Sequence, residues 1–122
     1  MTEDDASRIV LQGAATWNAW RDRNPAQVRF VAPHWYDSPG RGGQQIKGRN
    51  RVNFSGMNLF GASIYKAFAE GLNLRDSVFK DTHFEEGDFS RADFGGAMFR
   101  NTKFNKTILT GANFDGATFV KL

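Results

Sequence analysis

The chain has 122 residues, no cysteine, and a formal net charge of +3. That length fits one domain, and the missing cysteines exclude disulfides, a thiol nucleophile and a Cys-based zinc site. The basic excess is mild and concentrated early, and the near balance of residues 51–122, nine Lys and Arg against eight Asp and Glu, argues against a strong nucleic-acid footprint and against an acidic mimic of nucleic acid.

MTEDDASRIV opens the chain. It is acidic and lacks the basic and apolar regions of a secretory signal. No apolar run approaches the length of a membrane span. Cytoplasmic residence is the resulting expectation. From Asp5 to Asn24, Val10, Ala14, Trp17 and Trp20 recur at helical spacing, and Ile9 and Leu11 widen the face. One helix is predicted, with Asp4 or Asp5 as its cap and Pro25 just past its end. Gly13 is its weak point.

A short strand is expected at Gln27–Val31. The Gly-rich, basic stretch GRGGQQIKGRNR follows and reads as an exposed loop. It lacks the G-x₄-G-K-[ST] spacing of a phosphate loop. Arg41, Lys47, Arg49 and Arg51 are its candidate contacts for nucleic-acid phosphates, against the plainer reading of a basic loop.

From Arg51 onward the period changes to five. In HFEEGDFSRADFGGAMFRNTKF, phenylalanine occupies 84, 89, 94, 99 and 104. The centres run on at the same interval from Phe54 to Phe119, and all but Ala69 are large and apolar. The residue two places before each centre is small in most quintets, and glycine recurs two places after. On a helix this spacing scatters the side chains around every side. On a flat strand it sends successive ones to opposite faces. The centres share one interior only if the chain bends once per quintet in a constant sense and so coils. A small neighbour beside each Phe lets a narrow interior close-pack, and each buried Phe contributes very roughly 1.5–3 kcal/mol.

The strings ADFGG, GANFDGATF and SGMNLFGAS resemble the pentapeptide-repeat family, whose consensus is A-(D/N)-L-x-x with Leu or Phe at the centre. The resemblance covers Val52 to Leu122, and GAATWNAWRDRNP looks like the helix that often caps such repeats. It implies an all-β fold: a right-handed quadrilateral β-helix of about three and a half coils, roughly 17 Å long, with an N-terminal α-helical cap. Residues 1–50 would hold the capping helix and the loop, and 51–122 the β-helix.

With four quintets per coil, residues twenty apart stack. That register gives an Asn53–Asn73–Asp93–Asn113 ladder. It also gives a Lys66–Glu86–Lys106 column of alternating sign and places Glu85 between Tyr65 and Asn105. The AFAEG quintet breaks the pattern. It reads as a local bulge in which Leu72 fills the space left by Ala69; the alternative displaces Phe68 outward toward a partner.

No convergent chemistry emerges. His34 and His83 are far apart, and no metal spacing occurs. Glu85, Glu86, Asp88 and Asp93 fall in outward slots on different faces. The expectation is no enzyme, no cofactor, no metal and no small-molecule substrate. Trp17 and Trp20 are expected to close the apolar end of the first coil, as part of an N-terminal cap with Val10 and Ala14. Phe60, Val78, Lys80, Met98, Arg100 and Val120 form the most apolar exterior strip, rimmed by cations, and are the candidate protein-interaction face. The last coil has no capping segment, so Phe114, Phe119 and Leu122 are a candidate end-to-end interface.

The leading functional reading is a non-catalytic scaffold that self-associates, or supports a further domain, through its open C-terminal end. End-to-end dimers are known in the resembled family. Some of its members mimic DNA and bind type II topoisomerases, protecting against quinolones, which supplies the alternative. Nucleic-acid binding through the 41–51 loop is the third reading.

Overall fold

A computed structural model describes residues 3–31 and 54–120. Two helices come first, α1 (Glu3–Val10) and α2 (Ala14–Arg23). The single helix expected from spacing is therefore broken. Gly13 takes φ 95° between them, a value that L side chains rarely adopt. Its carbonyl still accepts the Trp17 amide at 3.0 Å, so α2 starts there afresh. The expected strand is present as β1 (Val28–Val31).

The repeat region supplies β2 (Ala62–Tyr65), β3 (Val78–Lys80), β4 (His83–Glu85), β5 (Met98–Arg100), β6 (Lys103–Asn105) and β7 (Thr118–Val120). They form two parallel sheets in the orders β1-β2-β4-β6 and β3-β5-β7. Ile64 pairs with Phe84 and Phe84 with Phe104; Phe79 pairs with Phe99 and Phe99 with Phe119. Isolated bridges add two more columns, through Phe68, Asp88 and Ile108, and through Asn73, Asp93 and Asn113. Parallel pairing at a separation of twenty thus recurs in four columns, and the chain is a repeat β-helix.

The bend that a period of five demands has a definite backbone origin. Every described residue two places after a centre has positive φ, from 51° to 73°. Where the centre's carbonyl accepts the amide three residues on, as in Met57 N to Phe54 O at 3.2 Å, the corner is a β-turn with the positive φ of type II at its third residue. This explains the recurrent glycines. Lys66, Asp76, Asp81, Glu86, Arg91, Asn101 and Lys106 take the same corner conformation with a side chain attached, which packing of the coils must hold in place.

Inside, centres and small residues are buried together. Phe54, Phe79, Phe84, Phe89 and Phe94 are fully inaccessible, as are Leu59, Leu72 and Leu74. Three columns stack their rings almost parallel: Phe84 on Phe104 at 4.9 Å, Phe94 on Phe114 at 5.1 Å, and Phe79 on Phe99 at 4.9 Å. Neighbouring columns meet edge-on or tilted, as Phe84 meets Phe89 at 5.0 Å. The polar members of the small slot satisfy themselves by a repeated bond to the coil before. The Ser77 hydroxyl donates to Phe54 O at 2.7 Å and Thr82 to Leu59 O at 2.7 Å; Thr102 donates to Phe79 O and Thr107 to Phe84 O.

The AFAEG quintet is not a bulge. Phe68 pairs in register with Asp88, and the amides of Ala69 and Gly71 reach Asp88 O and Ser90 O at 2.9 Å. Leu72 does occupy the interior beside Ala69. Phe68 has moved one place along the chain and points outward, 49% exposed.

At the N-terminal side, Ala6, Val10, Trp17 and Trp20 join the same buried cluster as Phe54, Met57 and Leu59, with Ala14 packed against it. The Trp17 indole donates to Asn58 O at 2.6 Å, and Asn18 bonds both Gly56 O and the Asn58 amide. No helix among the described residues is long and apolar enough to cross a membrane.

Candidate protein-interaction face

The sheet β3-β5-β7 brings the predicted face residues together. Its outward side holds two rows. Val78 pairs with Met98 and Met98 with Thr118; Lys80 pairs with Arg100 and Arg100 with Val120. Asn58 continues the first row through its bridge to Val78. Phe60 heads the second, and its ring takes the Lys80 ammonium at 5.4 Å and the Arg21 guanidinium at 5.9 Å. Val78, Lys80, Met98, Arg100 and Phe60 are half-buried, and Val120 is exposed.

Arg21 is a neighbour of this face that the sequence reading missed. It is 4% exposed. Its guanidinium donates to Asn24 O at 2.6 Å, to Ala26 O at 2.5 Å, and to Phe60 O. One side chain thereby ties the end of α2, the following turn and the first coil. Burial pulls its pKa down, and its described partners are carbonyls. The only signal in the sequence was an arginine directly after the tryptophan pair.

The other predicted residues separate. Phe119 is 62% exposed although its ring stacks on Phe99 at 4.8 Å, whereas Phe114 is partly buried. Leu122 lies outside the described residues, as do His34, Asn53 and the loop cations Arg41, Lys47, Arg49 and Arg51.

Three of the four carboxylates have different partners. Glu85 accepts from Asn105 at 2.7 Å, and Asp88 accepts from the Ser90 hydroxyl at 2.6 Å. Asp93 meets Arg75 at 3.1 Å and accepts from Asn113 at 2.9 Å and the Gly95 amide at 2.9 Å. This is the expected ladder from Asp93 to Asn113. Gly95 leaves room for it, since a Cβ there would collide with the Arg75 guanidinium. Glu86 lies with Lys66, Phe68, Asp88 and Ile108 around an open cavity of about 440 Å³. Among the described residues no group of three or more His, Asp or Glu could hold a metal ion.

Partial burial raises the Asp93 pKa, but the bonds from Gly95, Asn113 and Arg75 together outweigh it and hold the carboxyl below its ordinary value of 3.8. A depressed folded pKa stabilises above the unfolded value and loses that contribution as pH falls through the folded one. The stability advantage of the wild type over Asp93→Asn is therefore expected to be constant near neutrality and to shrink below about pH 4. Thermal melts of both proteins across pH test this, and a difference that stays constant into acid refutes it.

Comparison with known proteins agrees with this architecture. A chain of QnrB1, described as a plasmid-mediated fluoroquinolone resistance protein, aligns at 28% identity with a TM-score of 0.52, over 53% of this chain and 34% of that one. A second QnrB1 structure aligns at 25% identity with a TM-score of 0.53, over 57% of this chain and 38% of that one. This chain thus spans little more than a third of those relatives. The pentapeptide repeat protein Rfr23 from the cyanobacterium Cyanothece 51142 aligns at 15% identity with a TM-score of 0.47, over 87% of this chain and 95% of that one. No curated protein matches the sequence. The model of the pentapeptide repeats matches in eight copies over residues 58–96 and 88–121, more than half of the chain. With the pairing at twenty and the buried centres, that match makes this chain a member of the pentapeptide-repeat family.

Proposed function

We propose that this chain is a non-catalytic scaffold or protein-interaction module, built as a right-handed quadrilateral β-helix with α1 and α2 capping its first coil. Self-association, or attachment of a further domain, would use its last described coil around Phe114 and Phe119. The observation that carries this reading is the outward side of β3-β5-β7, where the apolar pair Val78 and Met98 runs beside the cations Lys80 and Arg100. An apolar strip rimmed by cations has the character of a protein-binding surface. Glu85, Asp88 and Asp93 are engaged in separate hydrogen bonds or ion pairs, which favours a structural role for them over acid–base work.

Light scattering over a range of protein concentrations tests self-association. A dimer that dissociates on Phe119→Glu is expected. A monomer at the highest concentration, for the same chain, removes self-association.

A second reading is a DNA-mimic-type topoisomerase-binding protein, favoured by the likeness to QnrB1. The near-balance of 16 Lys and Arg against 13 Asp and Glu weighs against mimicry of a polyanion. Unchanged gyrase supercoiling at excess protein would remove it. The nucleic-acid reading for the 41–51 loop remains a separate proposal, testable by salt-sensitive retention of DNA or RNA.

A further inference from the structure

The β3-β5-β7 face differs from the rest of the coil in how it handles charge. Elsewhere four of the described acids find donors or cations on neighbouring coils: Arg75 meets Asp93, Arg91 meets Glu70, Asn105 meets Glu85 and Asn101 meets Asp81. On this face Lys80 pairs in register with Arg100. Neighbouring strands lie about 4.8 Å apart, and like charges directly opposite destabilise a sheet. No outward residue of the face is acidic; the flanking acids Asp76 and Asp81 hold corner positions. Arg100 has no carboxylate partner among the described residues, and its Nε is buried with no acceptor. Lys80 has turned to the Phe60 ring, whose charge environment the buried Arg21 already makes positive. Beside this cationic row runs an apolar one, Val78 and Met98.

We propose that this face binds an acidic protein segment that lies along the coil, with carboxylates against Lys80 and Arg100 and an apolar side chain against Val78 and Met98. This rests on the interaction-module reading above and names the chemistry of the partner. The uncompensated like-charge pair is the unfavourable feature that such a partner would relieve, and complementary charge sets orientation and encounter rate. A phosphate backbone fits less well. It would engage only two cations and would lie over the apolar row without covering it with apolar groups.

The test is fluorescence anisotropy with a short labelled peptide of glutamates interspersed with leucines. The same peptide with lysines for glutamates and a labelled single-stranded oligonucleotide serve as comparisons. The acidic peptide is expected to bind, and Lys80→Glu with Arg100→Glu to weaken it by roughly tenfold or more. The Lys80→Gln, Arg100→Gln pair should give an intermediate loss, and circular dichroism confirms that each variant folds. The same charge reversal on another face, Lys66→Glu with Lys106→Glu, should change binding by less than about twofold.

Equal binding of the acidic and basic peptides, or of the wild type and the Lys80/Arg100 variants, overturns the proposal. Tighter binding of the oligonucleotide overturns it in favour of phosphate. Loss of peptide binding in a chain that still dimerises refutes the partner chemistry alone. Peptide binding by a strict monomer refutes self-association alone.

Discussion

Phe84→Ala is expected to destabilise the protein by about 3–5 kcal/mol, the range for removing a buried aromatic ring and leaving a cavity. Phe84 is fully buried. Its ring lies parallel to Phe104 at 4.9 Å, edge-on to Phe89 at 5.0 Å and tilted to Phe79 at 5.4 Å. Truncation therefore removes contacts within its own coil and with the next one. Relaxation into the space is restricted, because β2, β4 and β6 are held in register on that side. Coils of a solenoid stabilise mainly their neighbours, so a defect in the middle weakens two interfaces.

Phe119→Ala provides the comparison. That ring stacks on Phe99 at 4.8 Å but is 62% exposed. Its truncation should cost under about 1 kcal/mol in the isolated chain, since most of its surface stays in water. Denaturant midpoints for the two variants settle the matter. Equal losses would refute the inference that the interior of the coil, and not merely its phenylalanine content, carries stability.

Arg21→Met should cost about 1–3 kcal/mol, through part-buried carbonyls that lose a charged donor. The guanidinium serves Asn24 O, Ala26 O and Phe60 O together. Methionine matches much of the side-chain length but offers no donor. Arg21→Lys keeps the charge, yet a single ammonium cannot reproduce the planar fork that reaches α2's end and the coil at once. Only partial recovery is expected from lysine. The local consequence is release of α2 from the first coil, which should loosen Trp17 from Asn58 O and shift tryptophan emission to the red. Urea titrations followed by fluorescence provide both readings. An Arg21→Met protein as stable as the wild type would show that the helices sit on the coil by apolar packing alone.

The period of five was enough to bring Phe79, Phe84, Phe89, Phe94 and Phe99 into one interior, because a local bend repeated at a fixed interval has only one inside. It also placed residues twenty apart in contact, and hence paired Asn113 with Asp93 and Asn105 with Glu85. The small slot was legible as a packing requirement. Its hydroxyl bonds were not, since Ser77, Thr82, Thr102 and Thr107 were read for size alone. The AFAEG quintet was misread as a bulge because register belongs to the backbone ladder, and the ladder tolerates Phe68 outward as long as Leu72 fills the core.

The sequence by itself determined the solenoid, its register and the residues facing each way, since all of these follow from steric rules applied within a few residues and repeated. Only the tertiary structure decided what joins the coil from outside it. Gly13 divides the N-terminal helix, β1 adds to the sheet of β2, and Arg21 reaches Phe60 O across a sequence separation of 39. Those contacts carry no period. The same holds for the charge imbalance of Lys80 and Arg100: each is an ordinary surface cation in the sequence, and they become an uncompensated pair only where the coil stacks one upon the other.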